Sequence, residues 1–202
     1  AADDLDGDGD PDLVVDCLGS SRIQILRNRG DGTFDAAEGW RPPRVLGEVG
    51  GMGQVVIGDL DRDGRGDPVV PLILIDSPSH VGVLRNRTDV DGIAFDQQVA
   101  TPSAGGGYAF TVDLGDFDGD GDLDVVVGHA LPGRVAVLDN RTVPVSEGGD
   151  GQIVFEPFQD VLVDSFFRDV AVCDLDGDCD SDLLAIDLVS NGLYRIENFT
   201  TQ

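Results

Sequence analysis

Asp116-Phe-Asp-Gly-Asp120-Gly-Asp-Leu-Asp124 is one of four versions of a single acidic stretch in this chain. The others are Asp4-Leu-Asp-Gly-Asp8-Gly-Asp-Pro-Asp12, Asp59-Leu-Asp-Arg-Asp63-Gly-Arg-Gly-Asp67 and Asp174-Leu-Asp-Gly-Asp178-Cys-Asp-Ser-Asp182. Their even placement along 202 residues reads as one repeat array over 1–202, with repeats beginning near 4, 59, 116 and 174. Each version places carboxylates at relative positions 1, 3, 5 and 9. That pattern lets one short turn wrap several oxygens around a hard cation.

The candidate ligands are Asp4, Asp6, Asp8 and Asp12; Asp59, Asp61, Asp63 and Asp67; Asp116, Asp118, Asp120 and Asp124; and Asp174, Asp176, Asp178 and Asp182. Position 7, occupied by Asp10, Arg65, Asp122 and Asp180, is expected to offer its backbone carbonyl, which leaves the side chain free to vary. Calcium accepts about 6–8 oxygens in irregular geometry, whereas magnesium demands a tight octahedron, so the expected ion is Ca²⁺, about four per chain. Position 6 is where the chain turns sharply and glycine is favoured. It is Gly9, Gly64 and Gly121 in three loops and Cys179 in the fourth, which therefore departs from the pattern. No Glu at position 12 and no helical flanks accompany the loops, so they are not EF-hands.

Net charge is −26, and every one of the thirteen cationic residues is arginine. Such a balance argues against nucleic acid and anionic membranes as partners. The absence of lysine fits a high-GC coding bias or a salt-adapted proteome. The longest apolar run, Val69–Ile75, is far too short to insert in a membrane. No signal-peptide pattern precedes the first loop, which suggests a processed mature chain or a fragment.

After each loop comes a β-branched run: Leu13–Val15, Pro68–Ile75, Leu123–Val127 and Leu183–Ile186. Alternating segments follow at Ile23–Leu26, Val81–Leu84, Val135–Leu138 and Leu193–Ile196, each ending near an Asn. A third segment carries Phe34, Phe95 and Phe155, and a fourth (Val55–Ile57, Phe110–Val112, Val170–Val172) runs into the next loop. Helical periodicity is absent and turn residues are dense. Four short strands per period of about 40–60 residues predict an all-β propeller built from four-stranded blades, about three and a half of them here.

At this point the chain resembles the FG-GAP/VCBS repeat family, the calcium-loop β-propellers that include the integrin α-subunit head. The resemblance rests on the Asp-x-Asp-x-Asp-Gly-x-x-Asp loops, the Leu-x-Val-Val strands after them, and the Asn-x-x-Asp-Gly-Thr-Phe stretch at 28–34. It implies that each loop joins the innermost strand of a blade to the next strand and binds calcium. Family members usually close a ring of about seven blades. By strand count the first blade here lacks an inner strand and the last lacks an outer one. Open edges of this kind invite pairing with other copies or with further blades.

Three sequons, Asn86-Arg-Thr88, Asn140-Arg-Thr142 and Asn198-Phe-Thr200, are glycosylation candidates at one repeated position. Cys173 and Cys179 flank the fourth loop, and a disulfide between them could clamp its turn in an oxidising compartment. The long connector 141–152 is a candidate recognition loop. His80 and His129 lie in different repeats without a nucleophile motif, so no enzymatic activity is expected. The reading is an extracellular or cell-surface calcium-binding module with a structural or adhesive role, possible partners being a cell-surface protein or a glycan. The alternatives are the propeller of a polysaccharide-active enzyme, lyase-like, or a calcium-dependent lectin.

Overall fold

The structure, a computed structural model, describes residues 1–17, 22–40, 49–74, 78–89, 92–102, 107–130, 133–162 and 166–198. The strands form four antiparallel sheets in chain order, one per repeat. Blade 1 contains β1 (Ala2–Asp3), β2 (Asp12–Cys17), β3 (Arg22–Asn28) and β4 (Phe34–Trp40). Blade 2 contains β5 (Val49–Met52), β6 (Val56–Gly58), β7 (Asp67–Leu74), β8 (His80–Asn86) and β9 (Phe95–Pro102). Blade 3 contains β10 (Ala109–Gly115), β11 (Asp124–Ala130), β12 (Gly133–Asn140) and β13 (Phe155–Leu162). Blade 4 contains β14 (Phe167–Cys173), β15 (Asp182–Asp187) and β16 (Gly192–Ile196). The expectation of no inner strand in blade 1 is corrected by a stub: Ala2 pairs with Leu13 and Asp3 with Asp12. The Ala1 ammonium extends it by donating to Val14 O at 3.0 Å.

Among the described residues, blade 2 alone has its inner strand in two pieces, and Pro71 explains the break. Proline has no N–H for the ladder and is normally excluded from central strands. Opposite it the inner strand leaves the sheet between Met52 and Val56; Pro71 O still accepts from Gly53 N at 3.2 Å. The detour carries Gln54 N to Phe110 O of blade 3 at 3.3 Å. Only glycine fits at 53, since a Cβ there would lie 2.0 Å from Phe110 O.

Apolar side chains on both faces of the second strand place it between neighbouring blades. Every residue of β7 and of β11 is buried. The result is three apolar clusters, each shared by consecutive blades. Leu5, Val14 and Ile25 meet Met52, Val70 and Leu72. Leu60, Val69 and Val83 meet Val112, Val125 and Val127. Phe117, Val126 and Val135 meet Phe167, Val170 and Leu183. Position 2 of the first three loops (Leu5, Leu60, Phe117) belongs to these clusters, so each loop is pinned into an interface between blades.

Candidate metal centres

Each acidic loop connects the inner strand of its blade to the second strand, and its carboxylates are first used to hold the loop itself. The carboxylate at position 1 accepts the position-6 amide: Gly9 N to Asp4 Oδ2 at 2.9 Å, Gly64 N to Asp59 at 2.8 Å, Gly121 N to Asp116 at 3.0 Å, Cys179 N to Asp174 at 3.2 Å. Position 5 accepts the position-7 amide in all four, at 3.0–3.2 Å. Position 9 accepts the position-2 amide through Oδ2 and the amide of the strand-end Asn through Oδ1. These local bonds are the Asx geometry that Asp supplies readily.

With that scaffold in place, three carboxylates in every loop bring one oxygen each within 4.8 Å of one another. They are Asp4, Asp6 and Asp8; Asp59, Asp61 and Asp67; Asp116, Asp118 and Asp124; and Asp174, Asp176 and Asp182. Position 7 does more than the sequence suggests. Asp122 is buried, and one carboxylate oxygen each of Asp122 and Asp180 is inaccessible and accepts no hydrogen bond, as is Oδ1 of Asp61. Buried acceptors without donors, gathered among like charges, are a donor set that fits a hard cation. Asp10 is half-buried, and Arg65 turns its guanidinium to Asp63 at 2.9 Å.

The local charge records the same pressure. Burial, with Asp61 and Asp63 nearby, pushes the Asp67 carboxyl up to about 7 against two backbone hydrogen bonds. Burial likewise raises Asp124 to about 6. Asp122, buried and facing Asp120, rises to about 7, and Asp180, desolvated beside Asp178, to about 6. An acid whose folded pKa exceeds its unfolded value makes the native state bind more protons, so stability falls as pH rises between the two. Metal-stripped protein should therefore melt progressively lower from pH 4 to pH 7 and level off above. Saturating calcium, which displaces those protons, should flatten or reverse the trend; thermal scans across that range check it.

Arginines satisfy part of this charge, unequally. Arg27 pairs with Asp6 and, at 3.3 Å, with Asp8. Arg85 and Asp61 form a buried pair, so the second loop holds two internal cations, Arg85 and Arg65. Arg141 pairs with Asp139 and reaches Asp118 at 3.5 Å and Asp120 at 3.7 Å, and Arg62 of the second loop approaches Asp122 at 3.9 Å. Among the described residues no arginine pairs with the fourth loop. Cys179 there takes φ +74°, close to +93°, +89° and +90° for Gly9, Gly64 and Gly121. The fourth loop thus keeps the common turn despite losing its glycine. Position 4 is left-handed too, in Gly7, Arg62, Gly119 and Gly177, a requirement the spacing of acids did not reveal.

Two sequence readings are corrected. Cys173 and Cys179 are exposed thiols with no disulfide between them. Cys179 reaches the left-handed turn unaided and its N–H is already held by Asp174, so no clamp is needed. The sequon asparagines are structural: Asn86 and Asn140 are fully buried, and their Nδ2 donates to Leu5 O at 3.0 Å and Leu60 O at 2.9 Å in the preceding blade. Asn198 does the same to Phe117 O at 2.9 Å; Thr200 of its sequon lies outside the described residues. Asn86 and Asn140 use both Nδ2 hydrogens, the second going to Gly66 O and Leu123 O, so a glycan would cost each one of its two bonds and has no space beside it. Thr88 and Thr142 complete the turn, donating N–H to the Asn Oδ1 and accepting from Ala94 and Val154. Chain secreted from a eukaryotic host should show no glycan mass at Asn86 or Asn140 by peptide mass spectrometry.

Elsewhere, the connector at 141–152 contains a single 3₁₀ turn, Val145–Glu147, and His129 is buried in β11, where desolvation lowers it to about 4. No helix among the described residues is long and apolar enough to cross a membrane.

Residues 4–70 match the family model described as FG-GAP-like repeat. No curated protein matches the chain by sequence. In fold the chain is similar to the β-propeller in the crystal structure of BBS1N in complex with ARL6DN, soaked with lead. That likeness has a TM-score of 0.57 at 17% identity, covering 98% of this chain and 52% of that one. This chain thus spans about half the length of that one.

Proposed function

We propose that this chain, an FG-GAP-like repeat protein with the fold of a partial β-propeller, is a calcium-stabilised scaffold that serves a structural or adhesive role outside the cell. The observation carrying this reading is the fourfold recurrence of three converging carboxylates, each set on the same hydrogen-bonded turn, the first three of these pinned at a boundary between blades. Asp4, Asp6, Asp8 and Asp12 and their counterparts would hold the ion, with Asp122 and Asp180 adding a fifth carboxylate in the third and fourth loops. The ion's contribution is charge neutralisation and cross-linking of strands. Sites of modest affinity fill where calcium is about millimolar, which supports an extracellular location. Partners of matching chemistry are other copies, further blades, a cell-surface protein or a glycan, and the role requires no catalysis.

Metal analysis of protein dialysed against millimolar calcium tests it. Three to four ions per chain, not replaced by equal magnesium, are expected; fewer than one per chain refutes the reading. The fourth loop, with no arginine counter-ion among the described residues, should fill first, and the second, whose Arg85–Asp61 pair is buried, last.

A second reading, sugar binding, is favoured by a cavity of about 280 Å³ lined by Asp16, Met52, Gly53, Gln54, Phe110, Arg168 and Asp169. It lies at the end of the inner strands away from the loops and draws on all four blades. Carboxylates, an amide and a guanidinium beside an aromatic ring suit a hydroxyl-rich ligand. A neutral sugar that raises the melting temperature in saturating calcium, and fails to do so in Arg168→Ala, would favour it.

A further inference from the structure

We propose that the four acidic loops are energetically coupled, and that Asn86, Asn140 and Asn198 are the positioning residues that couple them. The inference rests on reading the loops as cation sites. Its basis is a hydrogen-bonded path that crosses every boundary between blades in the same way.

At the middle boundary, Asn140 Nδ2 donates to Leu60 O at 2.9 Å, and Asn140 N donates to Asp124 Oδ1 at 2.8 Å. Leu60 N in turn donates to Asp67 Oδ2 at 3.0 Å. One asparagine and the backbone of one leucine therefore join the position-9 carboxylate of loop 2 to that of loop 3. The first boundary repeats this: Asn86 Nδ2 to Leu5 O at 3.0 Å, Asn86 N to Asp67 at 2.7 Å, Leu5 N to Asp12 at 3.2 Å. The third does so through Asn198 and Phe117, with Asn198 Nδ2 to Phe117 O at 2.9 Å and Asn198 N to Asp182 at 2.7 Å. Asp12, Asp67, Asp124 and Asp182 are all buried, as are Asn86 and Asn140.

Bonds from N–H groups to carboxylates are strong, and burial shields them from competing water. A cation that fixes Asp124 fixes the Asn140 backbone, whose side chain holds the Leu60 carbonyl, and the N–H of the same leucine orients Asp67 in the neighbouring loop. The second cation then meets a loop whose ordering is already complete, and affinity rises. By linkage the effect is reciprocal. Direct repulsion between bound cations has the opposite sign and does not pass through Asn140.

Calcium titration of the full metal-stripped chain by amide NMR reads loop 2 at Gly64 and loop 3 at Gly121 separately. Disabling loop 3 with Asp118→Asn, whose side chain is outside the path, should weaken calcium at loop 2 by about fivefold or more. In an Asn140→Ala background the same disabling should leave the Gly64 midpoint within about twofold, although the protein melts lower. Thr142→Ala, which loosens the same turn without touching Leu60, should preserve the fivefold effect. If Asn140→Ala does not fold, the half-buried Asn198 supplies the test: Asp176→Asn disables loop 4, and Gly121 reports with and without Asn198→Ala. A shift below twofold in the otherwise wild-type chain, or an equal shift without the asparagine, overturns the coupling. No calcium uptake at any loop overturns it together with the cation reading.

Discussion

Chelating calcium from the purified chain is expected to lower its melting temperature by roughly 15–30 °C. A ligand that binds only the native state and is present at about a hundredfold over its Kd stabilises by about 2.7 kcal/mol per site. Three such sites contribute about 8 kcal/mol, which is comparable to the whole stability of an ordinary domain. On a chain of this size about 2–4 °C accompanies each kcal/mol. The loss is compounded because each loop, once empty, holds at least four carboxylates, with arginine partners at three of the loops among the described residues. Scanning calorimetry before and after chelation reads the effect directly. A shift under about 3 °C would mean that arginines and backbone amides suffice to hold the loops.

Replacing Asp124 by alanine should cost about 2–6 kcal/mol even in chelator, before any metal is considered. Its two oxygens take Phe117 N at 2.9 Å and Asn140 N at 2.8 Å, and the residue is almost wholly inaccessible. Alanine leaves both buried amides without acceptors, each costing about 1–3 kcal/mol. Asp124→Asn keeps one acceptor and should cost about half as much, while losing the ligand charge as fully as alanine does. Denaturant unfolding of both variants, with and without calcium, separates the two roles. Equal stability of Asp124→Ala and Asp124→Asn in chelator would refute the structural role assigned to the side chain.

Much of this architecture was legible in the sequence because one rule governs every repeat. The acids at 1, 3, 5 and 9 recur in register in all four repeats, and the apolar segments between them alternate with the strand period. What composition hid was the dual use of residues. Asn140-Arg-Thr142 is indistinguishable on paper from an acceptor for glycan, yet its amide is consumed by a peptide eighty residues earlier. Cys179 breaks the glycine pattern but not the left-handed turn, because Asp174 holds its N–H where a glycine would have sat. Arg62 and Arg65 aside, arginines such as Arg85, paired with Asp61, reach the loop acids from distant strand ends, and linear spacing does not encode that approach. The break in the inner strand of blade 2 was written in Pro71, whose missing donor faces that strand.

The three apolar clusters each belong to two blades and to no blade alone. An excised single repeat would therefore expose its apolar side chains on both faces and remain unfolded, and two adjacent repeats are the smallest piece that encloses one cluster. Under a stretching force the chain should peel from an end, blade by blade, each rupture destroying one shared interface and leaving the remainder intact. Such a molecule resists tension as a row of separate latches, so its extension under load would climb in steps about one repeat long.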